Sequence, residues 1–379
     1  HRRVCSPSMA SASVVPAPAV AARPRGEDVH RAAAALRAQV ARRIVGLEDV
    51  VEQVLIAVLT EHHVLLEGVP GLAKTLLVST IADLLDLSFR RIQFTPDLMP
   101  SDVTGSEVLS RDASGKREFR FLEGPVFANV ILADEINRTP PKTQAALMEA
   151  MEERTVTSLG IRRPLDRPFL VLATQNPIEQ QGTYPLPAAQ LDRFLFKIRL
   201  DYPTVEDEAR IVRLTTATIE PPKATALVTK AGLLGFQTAV AYADVPPELL
   251  RYAVDLVRAS RPADPKAPQR VRDYVTWGVG PRAAQALVSG AKARAFLRGR
   301  ATATFDDVRA LAPAVFRHRL VCSYAAEADG VSPDDVTRTL LEHVPYPGRR
   351  EARSDPSRVV RWWRALMSPT AHRAHGIGG

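Results

Sequence analysis

A lysine and a hydroxyl side by side close the glycine-punctuated run Gly68-Val69-Pro70-Gly71-Leu72-Ala73-Lys74-Thr75. Glycines let backbone N–H groups wrap a polyphosphate, a lysine in this place reaches the β- and γ-phosphates, and the adjacent hydroxyl binds Mg²⁺. The run therefore reads as a P-loop for Mg·ATP, with Gly68 through Leu76 contacting the nucleotide and Thr75 the metal. Ala73 stands where the usual pattern has its last glycine; it is expected to open the following helix in a right-handed conformation, which alanine adopts without strain. Further along, the apolar Val130-Ile131-Leu132-Ala133 leads into Asp134-Glu135. Asp134 is expected to hold the Mg²⁺ shell and the nucleotide, and Glu135 to polarise the attacking water. A third run, Phe169 to Ala173, ends in Thr174-Gln175-Asn176-Pro177, which offers Asn176 as an amide sensor beside the γ-phosphate.

These groups need a scaffold that brings strand ends together. From Val64 to about Leu200 short apolar runs alternate with helix-period segments, the pattern of a parallel sheet with crossover helices. Expected strands are Val64–Glu67, Phe89–Phe94, Val130–Asp134, Phe169–Thr174 and Phe194–Leu200, and the helix Leu76 to Leu85 follows the P-loop. After Pro203 the strand signal stops, and Thr204 with Asp207, Thr304 with Asp307, and Ser332 with Pro333 and Asp335 announce helix starts. An all-helical second domain is expected. The domain reading is a leader over 1–28, an α/β nucleotide-binding core over 29–203, a helical lid over 204–347 and a basic tail over 348–379. Two hairpin-like insertions interrupt the core, at about Asp97 to Gly124 and at Thr155 to Arg163 around a Leu159-Gly160 turn.

The 379 residues, 46% of them hydrophobic, suffice for two domains with their own cores. Two cysteines, Cys5 and Cys322, allow no disulfide framework or zinc cluster, which suits a reducing, cytoplasmic setting. No window approaches the roughly 18 apolar residues of a membrane span. The leader, interrupted by Pro16 and Pro18, reads as a flexible tail in which Met9 is a candidate start, not as a secretory signal. The net charge of +8 sits largely in the tails, for example at Arg349, Arg350, Arg353, Arg358, Arg361 and Arg364, so it argues no basic core. The segment Pro356 to Met367 has helical spacing and reads as a helix docked on the lid. His62-His63 does not read as a metal pair, because neighbours on a strand face opposite ways.

At Gly68 to Thr75, at Glu123-Gly124-Pro125-Val126-Phe127-Ala128-Asn129, at Leu132 to Arg138, at Gln144 to Met151, at Ala173 to Pro177 and at Gln190-Leu191-Asp192-Arg193-Phe194, the chain resembles the MoxR family of AAA+ ATPases. The resemblance spans about Val29 to Pro347, and Ala73 is similar to what the family uses. It implies a ring, usually hexameric, with ATP between neighbouring subunits. Arg193 is then the arginine finger that reaches the next subunit's γ-phosphate. Arg282, in Gly280-Pro281-Arg282, matches a second sensor that contacts ATP in its own subunit. The insertions resemble a helix-2 insert and a pre-sensor hairpin on the ring's face or pore. The resemblance further implies a chaperone or activator of partner proteins, often ones with von Willebrand factor A domains.

Two related motors remain as alternatives: a magnesium-chelatase-like subunit and an MCM-like DNA translocase. A translocase should carry a DNA-binding module or basic pore hairpins, whereas the hairpin at Thr155 to Arg163 has only Arg162 and Arg163 at its end. Protein clients are expected in preference to nucleic acid.

Overall fold

The computed structural model describes residues 24–111, 117–158, 160–178, 182–216 and 225–347. The leader before residue 24, the basic tail from residue 348 with its expected helix, and Leu159 of the expected turn lie outside the described residues.

The first half of the chain runs α1 (Gly26–Val40), α2 (Glu48–Thr60), β1 (His63–Glu67), α3 (Lys74–Leu84), β2 (Phe89–Gln93), α4 (Pro100–Thr104), β3 (Gly105–Arg111), β4 (Arg117–Glu123) and β5 (Val130–Asp134). A short 3₁₀ turn at Ile136–Arg138 leads to α5 (Pro141–Glu153), β6 (Thr155–Ser158), β7 (Ile161–Pro164), β8 (Leu170–Gln175), α6 (Ala188–Leu191) and β9 (Phe194–Arg199). Then follow α7 (Val205–Thr215), α8 (Lys230–Ala241), α9 (Pro247–Ala259), α10 (Gln269–Tyr274), β10 (Val275–Trp277) and α11 (Pro281–Leu297). The described chain ends with α12 (Phe305–Phe316), β11 (Val321–Cys322), α13 (Tyr324–Ala328) and α14 (Pro333–His343).

Five strands form one parallel sheet in the order β2-β5-β8-β1-β9. Each lies within a residue of its expected bounds. The inner strands are buried on both faces, since Val64 to Leu66, Val130 to Ala133 and Leu170 to Thr174 are all out of water, and such strands read as unbroken apolar runs. Two cores flank the sheet. One, around Leu66, Leu77, Leu132 and Leu172, continues into the helical half. The other, around Phe94, Ile131, Met148, Phe169 and Phe194, lies under α5.

Both insertions are antiparallel hairpins, β3 with β4 and β6 with β7. They touch through Arg163, whose guanidinium lies 4.0 Å from the centre of the Phe121 ring and 3.6 Å from Glu107. Thr204, Thr304 and Ser332 each cap a helix. The Thr204 and Ser332 hydroxyls accept from the amides of Asp207 and Asp335, and Asp307 closes the box at Thr304.

Helix α1 begins at Gly26, where the Asp28 carboxylate accepts from the Arg25 amide at 3.0 Å and fixes the first turn. The second half is helical as expected, with one short antiparallel pair, β10 with β11, added to its helices. Strands of three and two residues are too short to show a period of two.

The helical half is fastened to the sheet at the β9 edge. Helix α11 packs on α1 and α2, and at Gly290 a β-carbon would meet Leu311 Cδ1 at 2.8 Å and Phe196 Cζ at 3.4 Å, so any larger residue would have to displace the Leu311 side chain. Just past α12, the Arg317 guanidinium donates to the Lys197 carbonyl at 2.6 Å and Arg319 to the Phe194 carbonyl at 2.6 Å. No helix among the described residues is long and apolar enough to cross a membrane.

Candidate functional site

The sheet order alone gathers the chemistry at one edge. The strands are parallel, so Gly68 after β1, Asn176 after β8 and Glu135 after β5 all leave the same end of adjacent strands, within about 10 Å at the usual 4.8 Å spacing.

Gly68 crosses the exit of β9 so closely that a β-carbon there would lie 2.8 Å from Leu200 Cβ. The loop turns at Gly71, φ 88°, where a β-carbon would meet nothing within 4 Å and the backbone faces open space. Ala73 departs from its expectation. It sits at φ 51° and ψ 24°, left-handed, and immediately precedes α3. Its carbonyl already accepts from the Leu77 amide at 2.9 Å, so the chain must enter the helix directly from the turn, and the left-handed residue accomplishes this. Lys74 folds its ammonium over the loop and donates to the Gly68 carbonyl at 2.6 Å. Burial lowers its pKa while Asp134 and Glu135 oppose the shift.

A connected set of hydrogen bonds holds those carboxylates. Thr174 donates to Asp134 Oδ1 at 2.6 Å and accepts from the Glu135 amide at 2.8 Å. Arg91 donates twice to Asp134 Oδ2, from Nε at 3.0 Å and Nη2 at 2.7 Å. Gln93 donates to Glu135 Oε2 at 2.8 Å, and Arg138 approaches the same oxygen at 3.1 Å. Glu135 itself is left-handed, φ 58°, which swings its side chain out of the strand direction. Asn176 is buried at the end of β8, and its Oδ1 accepts from the Ile178 amide at 3.2 Å. Arg91, Gln93, Thr174 and Arg138 were not singled out in the sequence as site residues. The available signal was Arg91-Ile92-Gln93, two polar residues sharing one face of a strand, but only the register Gln93↔Asp134 shows what they meet.

The oxygen donors fit a hard divalent cation. The Thr75 hydroxyl in the first turn of α3 and the Asp134 carboxylate are the ligand chemistry Mg²⁺ takes, with phosphate oxygens and water completing its shell.

Arg193 and Arg282 lie elsewhere. Arg193 precedes β9, whose first residue pairs with His63, while Glu67 at the P-loop end pairs with Arg199. Six strand residues at about 3.3 Å each put it roughly 20 Å from Gly68 along the sheet. Arg193 donates to the Met148 carbonyl at 2.7 Å and pairs with Glu152. Arg282 reaches the same Glu152 at 3.6 Å and Asp192 at 3.7 Å. Both arginines line a cleft of about 330 Å³ with Glu61, Arg154 and Arg319. In this arrangement the lid, fastened to β9, holds Arg282 beside Glu152 and Asp192 at the end of the strands opposite the P-loop.

His62 and His63 border this cleft. His63 is buried, its Nδ1 accepting from the Val171 amide at 3.0 Å, and its Nε2 lies 3.2 Å from the Met151 carbonyl. Burial pushes its pKa down to about 4. The pair is structural, and no cluster of three metal-ligating side chains occurs among the described residues.

A phosphate-binding loop between a parallel strand and a helix, with two carboxylates at the same end of the sheet two strands away and a helical lid, defines a P-loop nucleotide-binding protein of the AAA type. Residues 63–196 match the ATPase family associated with various cellular activities (AAA), and residues 267–340 match the AAA lid domain. The chain is 45% identical over 309 residues to Chaperone MoxR1 of Mycobacterium tuberculosis, covering 82% of this chain and 81% of that one. It is 32% identical over 339 residues to Protein MoxR of Methylorubrum extorquens, covering 84% and 96%. A crystal structure of a putative ATPase from Cytophaga hutchinsonii superimposes with a TM-score of 0.79 at 40% identity, covering 84% of this chain and 96% of that one. The chain belongs to the MoxR family of AAA+ ATPases.

Proposed function

We propose that this protein binds Mg·ATP at Gly68 to Leu76 and hydrolyses it to ADP and phosphate, and that a ring of subunits uses the cycle to remodel partner proteins. The observation that carries the reading is the parallel strand order that brings the P-loop with Lys74 and the carboxylates Asp134 and Glu135 to one end of the sheet. Lys74 binds the β/γ-phosphates, Thr75 and Asp134 hold Mg²⁺, which neutralises phosphate charge when bound, and Glu135 accepts a proton from the attacking water. Asn176 orients that water and senses the γ-phosphate.

Arg193 completes the site of the adjacent subunit. Arg282, sharing a cleft and two acidic partners with it, is assigned to the same trans half-site. A hexamer is the ring we propose, with residues 29–203 as core, 204–347 as lid, and a cytoplasmic setting. The chaperone role rests on the name of the mycobacterial relative; von Willebrand factor A proteins are the partner class we propose. The chelatase-like and MCM-like readings are not favoured, because relatives named MoxR align along most of the chain.

Steady-state phosphate release tests the site. Glu135→Gln should bind ATP as the parent does and turn over at least about 10²-fold more slowly, since an amide cannot act as a base. Equal turnover of the two proteins would remove Glu135 from the chemistry.

A further inference from the structure

Arg91 stands on the edge strand β2 and touches the machinery of both carboxylates. Its fork donates twice to Asp134 Oδ2, and its Nη2 also donates to Gln93 Oε1. That second contact fixes which end of the Gln93 amide faces Glu135: with the carbonyl oxygen held by Arg91, the NH₂ group points to Glu135 Oε2. One guanidinium therefore engages Asp134 directly and Glu135 through an amide. Thr174 already occupies Asp134 Oδ1, so both oxygens of this carboxylate have donors. The Arg91 side chain is half exposed, 47%, and Asp134 is 13% exposed. The guanidinium thus has far more water to swing into than the carboxylate has.

We propose that Arg91 is a positioning residue that clamps the two carboxylates in the nucleotide-free state, and that it must leave Asp134 Oδ2 when Mg·nucleotide binds. The inference rests on the assignment of Asp134 as a metal-holding group. It follows from charge: an arginine and a divalent cation compete for one carboxylate oxygen, so the free energy of the Arg91–Asp134 pair is subtracted from the gain that magnesium confers on nucleotide binding. Gln93 is released in the same event, because its orientation depends on the guanidinium. Sequence position supports the link, since β2 leads directly into α4 and the β3–β4 hairpin. A nucleotide-dependent release of Arg91 would begin at the root of that insertion.

The test is the affinity of the full chain for a fluorescent, non-hydrolysable ATP analogue, measured by anisotropy in excess magnesium and in EDTA. The magnesium gain is the ratio of the two dissociation constants. Arg91→Ala should raise this gain about three- to fivefold, the factor expected of an ion pair half open to water. Arg91→Lys, which keeps charge but loses the fork, should fall between. Arg90→Ala removes the same charge from the neighbouring exposed position and should leave the gain unchanged. A gain that is unaltered or lowered in Arg91→Ala, or raised equally in Arg90→Ala, overturns the clamp. A parent protein that binds the analogue equally with and without magnesium would instead overturn the Asp134 assignment, and Arg91's part with it. Thermal melts of each variant without nucleotide show whether β2 remains folded.

Discussion

Ala73 holds a β-carbon at φ 51° and ψ 24°, a conformation that costs an L-residue about 1–2 kcal/mol. Ala73→Gly should relieve this and, after the larger unfolded-state entropy of glycine, leave a net stabilisation of about 0.5 kcal/mol. Ala73→Val, branched at the β-carbon, should destabilise by more than about 1 kcal/mol. Thermal melts without nucleotide read both, and a valine variant as stable as the parent would contradict the strained geometry. Lys74→Ala should abolish most ATP affinity in equilibrium binding, because the ammonium is the loop's only side-chain charge. The loop proposed to bind phosphate was recognisable in the sequence because a P-loop compresses its chemistry into eight consecutive positions. The sign of φ at Ala73 was not, since residue type argues for the right-handed region and only the turn from Gly71 into α3 imposes the other. Arg91 and Gln93 were illegible for a related reason: their partner is on a strand far away in sequence.

Elements were read with more success where they carry their own signal. The buried strands announce themselves as apolar runs, and Thr204, Thr304 and Ser332 cap the helices they were expected to cap. Contacts between elements carry no such signal. Arg163 of one hairpin bridges Glu107 and Phe121 of the other, so Arg163→Ala should raise amide hydrogen exchange in β3 and β4 while the β1–β9 pair stays protected. Unchanged exchange in β3 and β4 would mean the hairpins do not support each other. His63 joins β8 to the end of α5 in the same way. Its ring is neutral when folded and takes a proton only near pH 4, whereas in the unfolded chain it takes one near the ordinary imidazole value of about 6.5. Between these values the unfolded state binds more protons, so this stability is complete above pH 6.5 and is lost as pH falls toward 4. A shift to pH 5 should cost about 2 kcal/mol from this group, at about 1.4 kcal/mol per pH unit. His63→Gln should flatten that part of the thermal midpoint's pH profile; an equally steep profile would assign the loss to other groups.

The chemistry-bearing residues are divided between the two ends of one sheet's strands. The P-loop, Asp134, Glu135 and Asn176 occupy the end from which β1, β5 and β8 exit, and Arg193 and Arg282 occupy the other, roughly 20 Å away along β9. No side chain spans that distance, so on the proposed trans role of Arg193 and Arg282 a subunit would carry half of one site and half of another, joined by a heterologous, head-to-tail interface that closes into a ring. Arg193→Ala should then bind nucleotide nearly as the parent does yet lose about 10³-fold or more in turnover, as in-trans arginine fingers do in other P-loop enzymes. Lys74→Ala should be inactive for the complementary reason. In an equal mixture a competent site needs an intact lysine in one subunit and an intact arginine in its neighbour. Random assembly supplies that pairing at about one interface in four whatever the ring size, so about a quarter of parental turnover should return. The same mixture separates the two possibilities for Arg282. If Arg282 serves the neighbouring subunit, Arg282→Ala mixed with Lys74→Ala should recover as Arg193→Ala does. Were Arg282 to act on its own subunit's nucleotide, no subunit in that mixture would hold both groups, and activity would stay at the level of the separate variants even in rings shown to co-assemble.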